Sequence, residues 1–414
     1  MFMASSLAIG IYASSFVALT FSASIFFLVA ALLFLISFWQ IRKGLAGLIA
    51  LCSFFFLFGL VRAQLPDVKW IPDTLYSYAV GLSDRLQHLI NSAGLSTETE
   101  SLVSALLLGH RTGLSADTVE LFRQTGASHI LALSGLHLSI LSGVIYYFLL
   151  RVLVTPLRYV LGITGLLFLW GYVLVTGFPV SLCRASLMMS LLIIGQMRMV
   201  GNDTVHTLAF SALLLLLFTP NMLYDVGFQL SFLAVAGLVY FYRPLVEIGL
   251  PKHFILQWLW KYWLVSLSAQ LGVFPLLLYY FHSISVLGIF FSPIYILIVT
   301  AIIYNALIFL LLYTCGFGLY LRYMLELFVS LQHSLMSFVS HLPLARIDGV
   351  WINEGQVILL YTALVILLPV IRALRQPKYQ PSGYRIAMFF RAWPYLLAII
   401  ILLFSLFLFS FFPV

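Results

Sequence analysis

From Phe2 to Trp39 the chain carries no charged side chain. A stretch of that length decides the solvent before it decides the fold, because a helix that crosses a bilayer needs about 20 apolar residues. It reads as two membrane spans broken near Thr20–Ser24, with Arg42 and Lys43 closing the second. The run Leu396–Pro413 repeats the pattern at the other end. Hydrophobic residues make up 63% of the 414 and charged residues 8%, with a mean hydropathy of +1.10. A soluble domain carries about 25% charged residues, so an ordinary soluble enzyme is excluded. A β-barrel is excluded as well, because its strands alternate apolar and polar over short runs. The class is therefore an all-α polytopic membrane protein, with about 12–13 transmembrane helices plus short amphipathic extracytoplasmic helices.

Spans are expected near 44–60, 129–150, 159–176, 183–200, 204–219, 226–242 and 262–281, and again near 286–314, 320–341, 355–371 and 394–412. The 286–314 run is long for one span, and Pro293 is expected to divide it. The opening apolar stretch has no basic region before it and runs too far for a cleaved signal, so none is expected. Four parts follow. Residues 1–62 hold three N-terminal spans and 63–128 an extracytoplasmic amphipathic segment. Residues 129–345 form the transmembrane core, and 346–414 the C-terminal spans with a basic loop.

Charge sets the orientation. With the N-terminus inside, the cytoplasmic loops hold fourteen of the 21 basic residues, among them Arg42, Lys43, Arg243, Lys252, Arg322 and the five of Arg372–Arg391. Only Asp203, Glu247 and Glu326 oppose them. The positive-inside rule selects this orientation, so the excess of +8 is a matter of insertion and not in itself a nucleic-acid signal. Cys52, Cys183 and Cys315 lie within apolar runs and offer neither a disulfide framework nor metal-ligand spacing.

The segment 62–123 holds seven of the thirteen acidic residues. Leu75, Ala79, Leu82, Leu86 and Leu89 recur at helical spacing, which predicts an amphipathic helix over 74–91. Ser96 is placed to cap a second helix, with Glu98 and Glu100 in its first turn. Ser115 and Asp117 open a third, which ends at Gln124. Helices are therefore expected here, not a β domain.

Three polar strings enter predicted spans. In the first, Gly126, His129, Ser134, Gly135 and His137 stand together. On one continuous helix Ser134 and His137 share a face, with His129 two turns earlier at about 80°. Ionisable groups at membrane depth face a cavity or a partner, so these three can line a wet wall. Ser134 with His137 also invites an intramembrane hydrolase reading. No Asp or Glu lies between Arg123 and Gly201 to orient the base. A metal held by His129 and His137 lacks further ligands. In the second string, Pro179 precedes Arg184, whose fork of donors suits phosphate oxygens if it does not snorkel. In the third, Asp225 and Gln229 stand one turn apart beside Gly227 and Ser231. Asp225 can cap the helix or pair with Arg184.

Taken in order, the three strings resemble the competence domain of the ComEC family of bacterial inner-membrane DNA-uptake proteins. A Gly-x-x-His-hydrophobic-Ser-Gly-x-His signature is matched by Gly126, His129, Ser134, Gly135 and His137. A Pro-x-x-x-Arg-Ala-x-x-Met element is matched by Pro179, Arg184, Ala185 and Met188 with one extra spacing residue. A Gly-Phe-Gln-Leu-Ser-Phe element is matched at Gly227–Phe232. The resemblance covers about Leu102 to Leu342. It implies a bacterial inner-membrane channel that takes up single-stranded DNA in natural transformation, with no enzymatic activity, no metal and no cofactor. His129, Ser134, His137, Arg184, Asp225, Gln229 and Ser231 would line the DNA path, and Gly126, Gly135, Pro179 and Gly227 would shape it. Single-stranded DNA and membrane lipids are the implied partners. So are a cytoplasmic motor, a periplasmic DNA-binding protein, a separate nuclease and a second copy of the chain. A small-solute transporter is the other reading; it would predict inverted repeats.

Three departures from the family pattern stand out. Ala63–Ile71 alone follows the third span where relatives often carry a β-rich domain, and no His-x-His-x-Asp-His string of a metallo-β-lactamase-like domain is present. A short form without those two domains is expected. Gly288–Pro293 also stands where an Asn is common between the late spans and a proline.

Overall fold

The computed structural model describes residues 2–14, 55, 58–59, 71–151, 155–198, 204–313, 319–343 and 345–373. The expected break near Thr20–Ser24, the Arg42–Lys43 stop, nearly all of the third span, most of the 372–391 loop and the last span lie outside them. The described residues are 83% helical, with 14 α-helices among them. Five of these are long and apolar enough to cross a membrane: Pro156–Val175, Val180–Met197, Val226–Ile248, Phe254–Phe281 and Val286–Tyr313. The only strands among the described residues are a two-residue antiparallel pair, β1 (Ser283–Ile284) with β2 (Ile347–Asp348).

Chain contacts divide the protein into two compact units. The first comprises residues 1–89 and 133–232. It holds α1 (Phe2–Ser14), most of α2 (Asp73–Ser92), α6 (Gly135–Arg151), α7 (Thr155–Val175), α8 (Val180–Met197), α9 (Thr204–Phe218) and the start of α10 (Val226–Ile248). Leu7 and Ile11 of α1 pack with Leu215 and Leu216 of α9 and with Phe228. Leu138, Leu169, Val173, Leu182 and Ile193 join α6, α7 and α8 in a second cluster. Helix α7 ends in a Schellman turn: Phe178 N–H bonds Val173 O at 2.9 Å and Gly177 N–H bonds Leu174 O at 3.1 Å. Gly177 (φ +77°) fits that left-handed position without penalty; Phe178 (φ +57°) is strained there. Pro179 then starts α8, where its fixed φ and missing N–H cost nothing.

The second unit, residues 90–132 and 233–414, holds α3 (Thr97–Leu107), α4 (Ala116–Gln124) and α5 (Ser128–Leu131). It also holds the rest of α10, α11 (Phe254–Phe281), α12 (Val286–Tyr313), α13 (Leu319–Ser340) and α14 (Glu354–Ala373). Helices α12 and α13 pack closely. Leu325, Val329, Gln332, Met336 and Val339 bury one face of α13, and Val299, Ile302, Ala306 and Phe309 are buried on α12. Helices α10 and α11 cross at Gly237 and Gly272, where a Cβ on Gly237 would stand 2.7 Å from Gly272 Cα. Tyr361 of α14 donates to Gly272 O at 3.1 Å.

The helices expected over 74–124 form, with the caps read from the sequence. Ser96 Oγ accepts from Thr99 N at 3.4 Å and Ser115 Oγ from Thr118 N at 3.1 Å. On α2 the apolar face is narrower than expected: Ala79 is buried, while Leu75 and Leu89 are exposed. Two expectations differ from the structure. The 129–150 span is interrupted at Ala132–Ser134, between α5 and α6, so His129 and His137 do not share one helix. Pro293 does not divide α12, which continues through it from Val286 to Tyr313. Pro293 is the eighth residue of the helix, so it forgoes the one bond that an N–H there would make to Ile289 O, and the helix continues past that single gap.

Candidate functional site

The polar residues at the start of α8 and α10 form one arrangement in the first unit. Ser181 Oγ donates to Leu133 O, and a Cβ on Gly135 would meet Ala185 Cβ at 3.3 Å. These contacts set the beginning of α6 beside the beginning of α8. Arg184 lies one turn into α8 and is only 4% exposed. Its Nη1 donates to Asp225 Oδ1 at 2.9 Å, and the Asp225 side chain is half exposed. The same Oδ1 accepts from Phe228 N at 2.7 Å. Asp225 thus caps α10 and pairs with Arg184 at once; the two alternatives open at the sequence level both hold.

Gly227 makes this geometry fit. A Cβ there would stand 2.8 Å from Arg184 Nη2 and 3.2 Å from Asp225 Oδ1. Arg184 Nε is buried with no hydrogen-bond partner among the described residues. A guanidinium so placed holds one carboxylate while keeping a donor unspent, and charge-assisted bonds of this kind suit oxyanions. Gln229 sits a turn further on, and its amide donates to Leu223 O at 2.9 Å. Ser231 is half buried on the same helix.

Ser134 and His137 are brought together, with Oγ and Nδ1 3.3 Å apart. Ser134 Oγ also accepts from Leu136 N at 3.2 Å. The hydroxyl therefore caps α6, and no carboxylate of the 123–201 stretch exists to orient the imidazole. That is a helix-start arrangement. His129 belongs to the second unit, where its Nδ1 stands 3.2 Å from Gly126 O. Gly126 (φ +72°) closes α4 in a Schellman turn, with Ala127 N–H on Phe122 O at 2.8 Å. A Cβ there would meet Ser285 Cβ at 2.8 Å, so the glycine is needed for close approach as well as for conformation. No group of three His, Cys, Asp or Glu able to hold a metal occurs among the described residues.

A second polar cluster brings together residues far apart in the sequence. Glu120, Gln124, Arg346 and Asp348 line a polar cavity of 260 Å3 in the second unit, with Ser340, Leu342 and Ala345. Arg346 reaches Asp348 at 2.6 Å and Glu120 at 3.6 Å. Arg123 grips Glu120 at 2.6 and 2.9 Å and holds its carboxyl below the usual carboxylate value. The i,i+3 spacing of Glu120 and Arg123 is visible in the sequence. The partner 226 residues downstream is not.

Stacked apolar helices and a buried guanidinium at the start of a span define a multi-pass α-helical membrane protein with a polar site inside the bundle. The model of the family described as Competence protein matches residues 106–374. The chain belongs to the Competence protein family. It is 32% identical over 209 residues to ComE operon protein 3 of Bacillus subtilis, covering 49% of this chain and 25% of the relative. It is 28% identical over 207 residues to Recombination protein 2 of Haemophilus influenzae, covering 47% and 26%. An uncharacterized protein of Aquifex aeolicus is 26% identical over 252 residues, covering 58% and 56%. The chain thus spans about a quarter of the length of two of these curated relatives and just over half of the third. No solved structure matches it significantly.

Proposed function

We propose that the protein is a bacterial inner-membrane channel for the uptake of single-stranded DNA in natural transformation. The observation that carries the reading is Arg184: a guanidinium almost wholly buried in a spanning helix, held by a half-exposed carboxylate, with Nε unpartnered among the described residues. A charge at membrane depth is costly, by about 2.5–3.5 kcal/mol on insertion scales, and marks a functional path. A phosphate oxygen arriving beside Asp225 supplies the acceptor that Nε lacks. Donors that read phosphate and not bases suit a path indifferent to sequence. His129, Ser134, His137, Gln229 and Ser231 are proposed to line that path, and Gly126, Gly135, Pro179 and Gly227 to hold its shape. Residues 129–345 are the conducting core in this reading, flanked by the spans of 1–62 and 346–414. The N-terminus and the 372–391 loop lie in the cytoplasm. The motor, the periplasmic DNA-binding protein and the nuclease are separate partners, and a second copy of the chain is a further one.

The test is uptake of end-labelled DNA by a transformable host strain lacking this gene, with and without the gene restored. Internalised label appears only with the gene. Equal internalisation in both strains overturns the proposal.

A further inference from the structure

Residues 92–126 reach both ends of α12 within the second unit. At one end Tyr313 Oη, on the last residue of α12, donates to Ser92 O at 2.8 Å. At the other end Gly126 abuts Ser285 and Gly288, where α12 begins, and a Cβ on Gly288 would in turn stand 2.7 Å from Thr125 O. Gly288 and Tyr313 are about 38 Å apart along a helix rising 1.5 Å per residue, more than the ~30 Å of a hydrocarbon core. The contacts between follow α13 and the residues just past it. A Cβ on Gly94 would meet Arg322 Nη1 at 3.3 Å, and Glu326 Oε1 accepts from Ser96 N at 3.3 Å. Glu98 Oε1 stands 3.8 Å from His333 Nε2, and Glu120 Oε1 3.6 Å from Arg346 Nη1. Contacts along 94–120 thus advance in the same direction as their partners along 322–346. Helix α12 has a mean hydropathy of 2.6 and spans by length and composition. A segment that meets both ends of this helix, and packs on it through α3 and on α13 through α4, therefore lies at membrane depth.

Helix α13 carries a polar line on this side. Arg322, Glu326, Ser330, His333 and Ser337 recur at helical spacing over 15 residues, or about 22 Å. The line lies beside the buried Leu325–Val339 face, and opposite it Tyr320, Met324, Leu327, Leu331 and Phe338 form an exposed apolar face. Leu327 is 57% exposed and Phe338 62%. The acids on the polar side have basic partners: Glu326 with Arg322 at 3.2 Å, Glu98 with His333, and Glu120 with Arg123 and Arg346. Paired charges beside exposed hydroxyls make a wall fit for water, whereas lipid would leave them unsolvated.

We propose that residues 92–126 form a re-entrant arm whose tip, Ser92–Ser96, reaches the cytoplasmic face, and that this arm and the polar line of α13 wall a water-filled passage taken by the DNA strand. This departs from the expectation that all of 63–128 lies on the outer surface. The geometry stands independently; the identity of what passes rests on the proposed function.

The test uses the full chain in membranes with Cys52, Cys183 and Cys315 replaced by serine. Single cysteines are placed at Thr97, Asp117, Leu327 and Ser330, all exposed. A bulky impermeant maleimide should label Asp117→Cys in intact cells and Thr97→Cys only in inverted vesicles. A small methanethiosulfonate should label Ser330→Cys at least tenfold faster than Leu327→Cys. Labelling of Thr97→Cys from outside at the rate of Asp117→Cys overturns the arm. Equal rates at Ser330→Cys and Leu327→Cys overturn the passage. If both patterns hold but added single-stranded DNA fails to slow labelling of Ser330→Cys, the passage stands and DNA as its occupant is overturned.

Discussion

Asp225 performs two tasks with one oxygen, and two substitutions separate them. Asp225→Asn keeps an oxygen for the 2.7 Å bond from Phe228 N but removes the charge that faces Arg184. Removing one partner of a fully buried ion pair costs about 3–5 kcal/mol, and an exposed pair contributes about 0–1 kcal/mol. Here the arginine side chain is 5% exposed and the aspartate 51%. The cost therefore falls between these limits, at about 2 kcal/mol. Asp225→Ala loses the pair and the cap together and should cost about 1 kcal/mol more. Replacing Arg184 by Met removes the buried charge, so Arg184→Met with Asp225→Asn should recover most of the loss, with a coupling of about 1–2 kcal/mol in the double-mutant cycle. Unfolding of the purified protein in detergent, followed by tryptophan fluorescence, measures all four. Equal destabilisation by Asn and Ala would refute the capping role. A coupling near zero would refute the claim that Asp225 compensates a buried charge.

Other outcomes follow from the same geometry. At Gly272 a Cβ would collide with Leu233 O and lie 2.9 Å from Gly237 Cα. Gly272→Ala should thus lower stability by about 1–3 kcal/mol, while Gly81→Ala, with nothing within 4 Å of the new methyl, should be neutral or stabilising in the same assay. Arg123 lowers the Glu120 pKa, so the stabilisation from this pair is present above the ordinary carboxylate range. It is lost as pH falls through the lowered value. Glu120→Gln should flatten the acid side of the unfolding-temperature profile, and an unchanged profile would count against the cluster. A cysteine at Gln380 should resist an impermeant thiol reagent in intact cells and react in inverted vesicles; ready labelling from outside would reverse the orientation.

Most helices are legible in the sequence because apolar runs and caps are local signals. Ser96 and Ser115 sit where caps require them, and each acts so in the fold. The break at Ala132–Ser134 is not legible: neither Ala132 nor Leu133 opposes a helix, and the interruption is seen only in the folded chain. Arg184 and Asp225 each stand out as ionisable groups in apolar surroundings. Their union depends on a loop closure over 41 residues that no spacing rule predicts. The path of 92–126 was hidden for the same reason. Its amphipathic helices are compatible with a surface location, and only contacts with Tyr313, Glu326 and Ser285, far along the chain, set it against α12 and α13.

The central claim is that Arg184 presents a donor to a phosphate backbone inside the membrane. Internalisation of labelled single-stranded DNA by cells carrying the wild type, Arg184→Ala or Arg184→Lys at matched protein levels tests it most directly. The account predicts at least a tenfold loss with alanine and partial recovery with lysine, which restores the charge but not the fork. Wild-type internalisation by Arg184→Ala would contradict it.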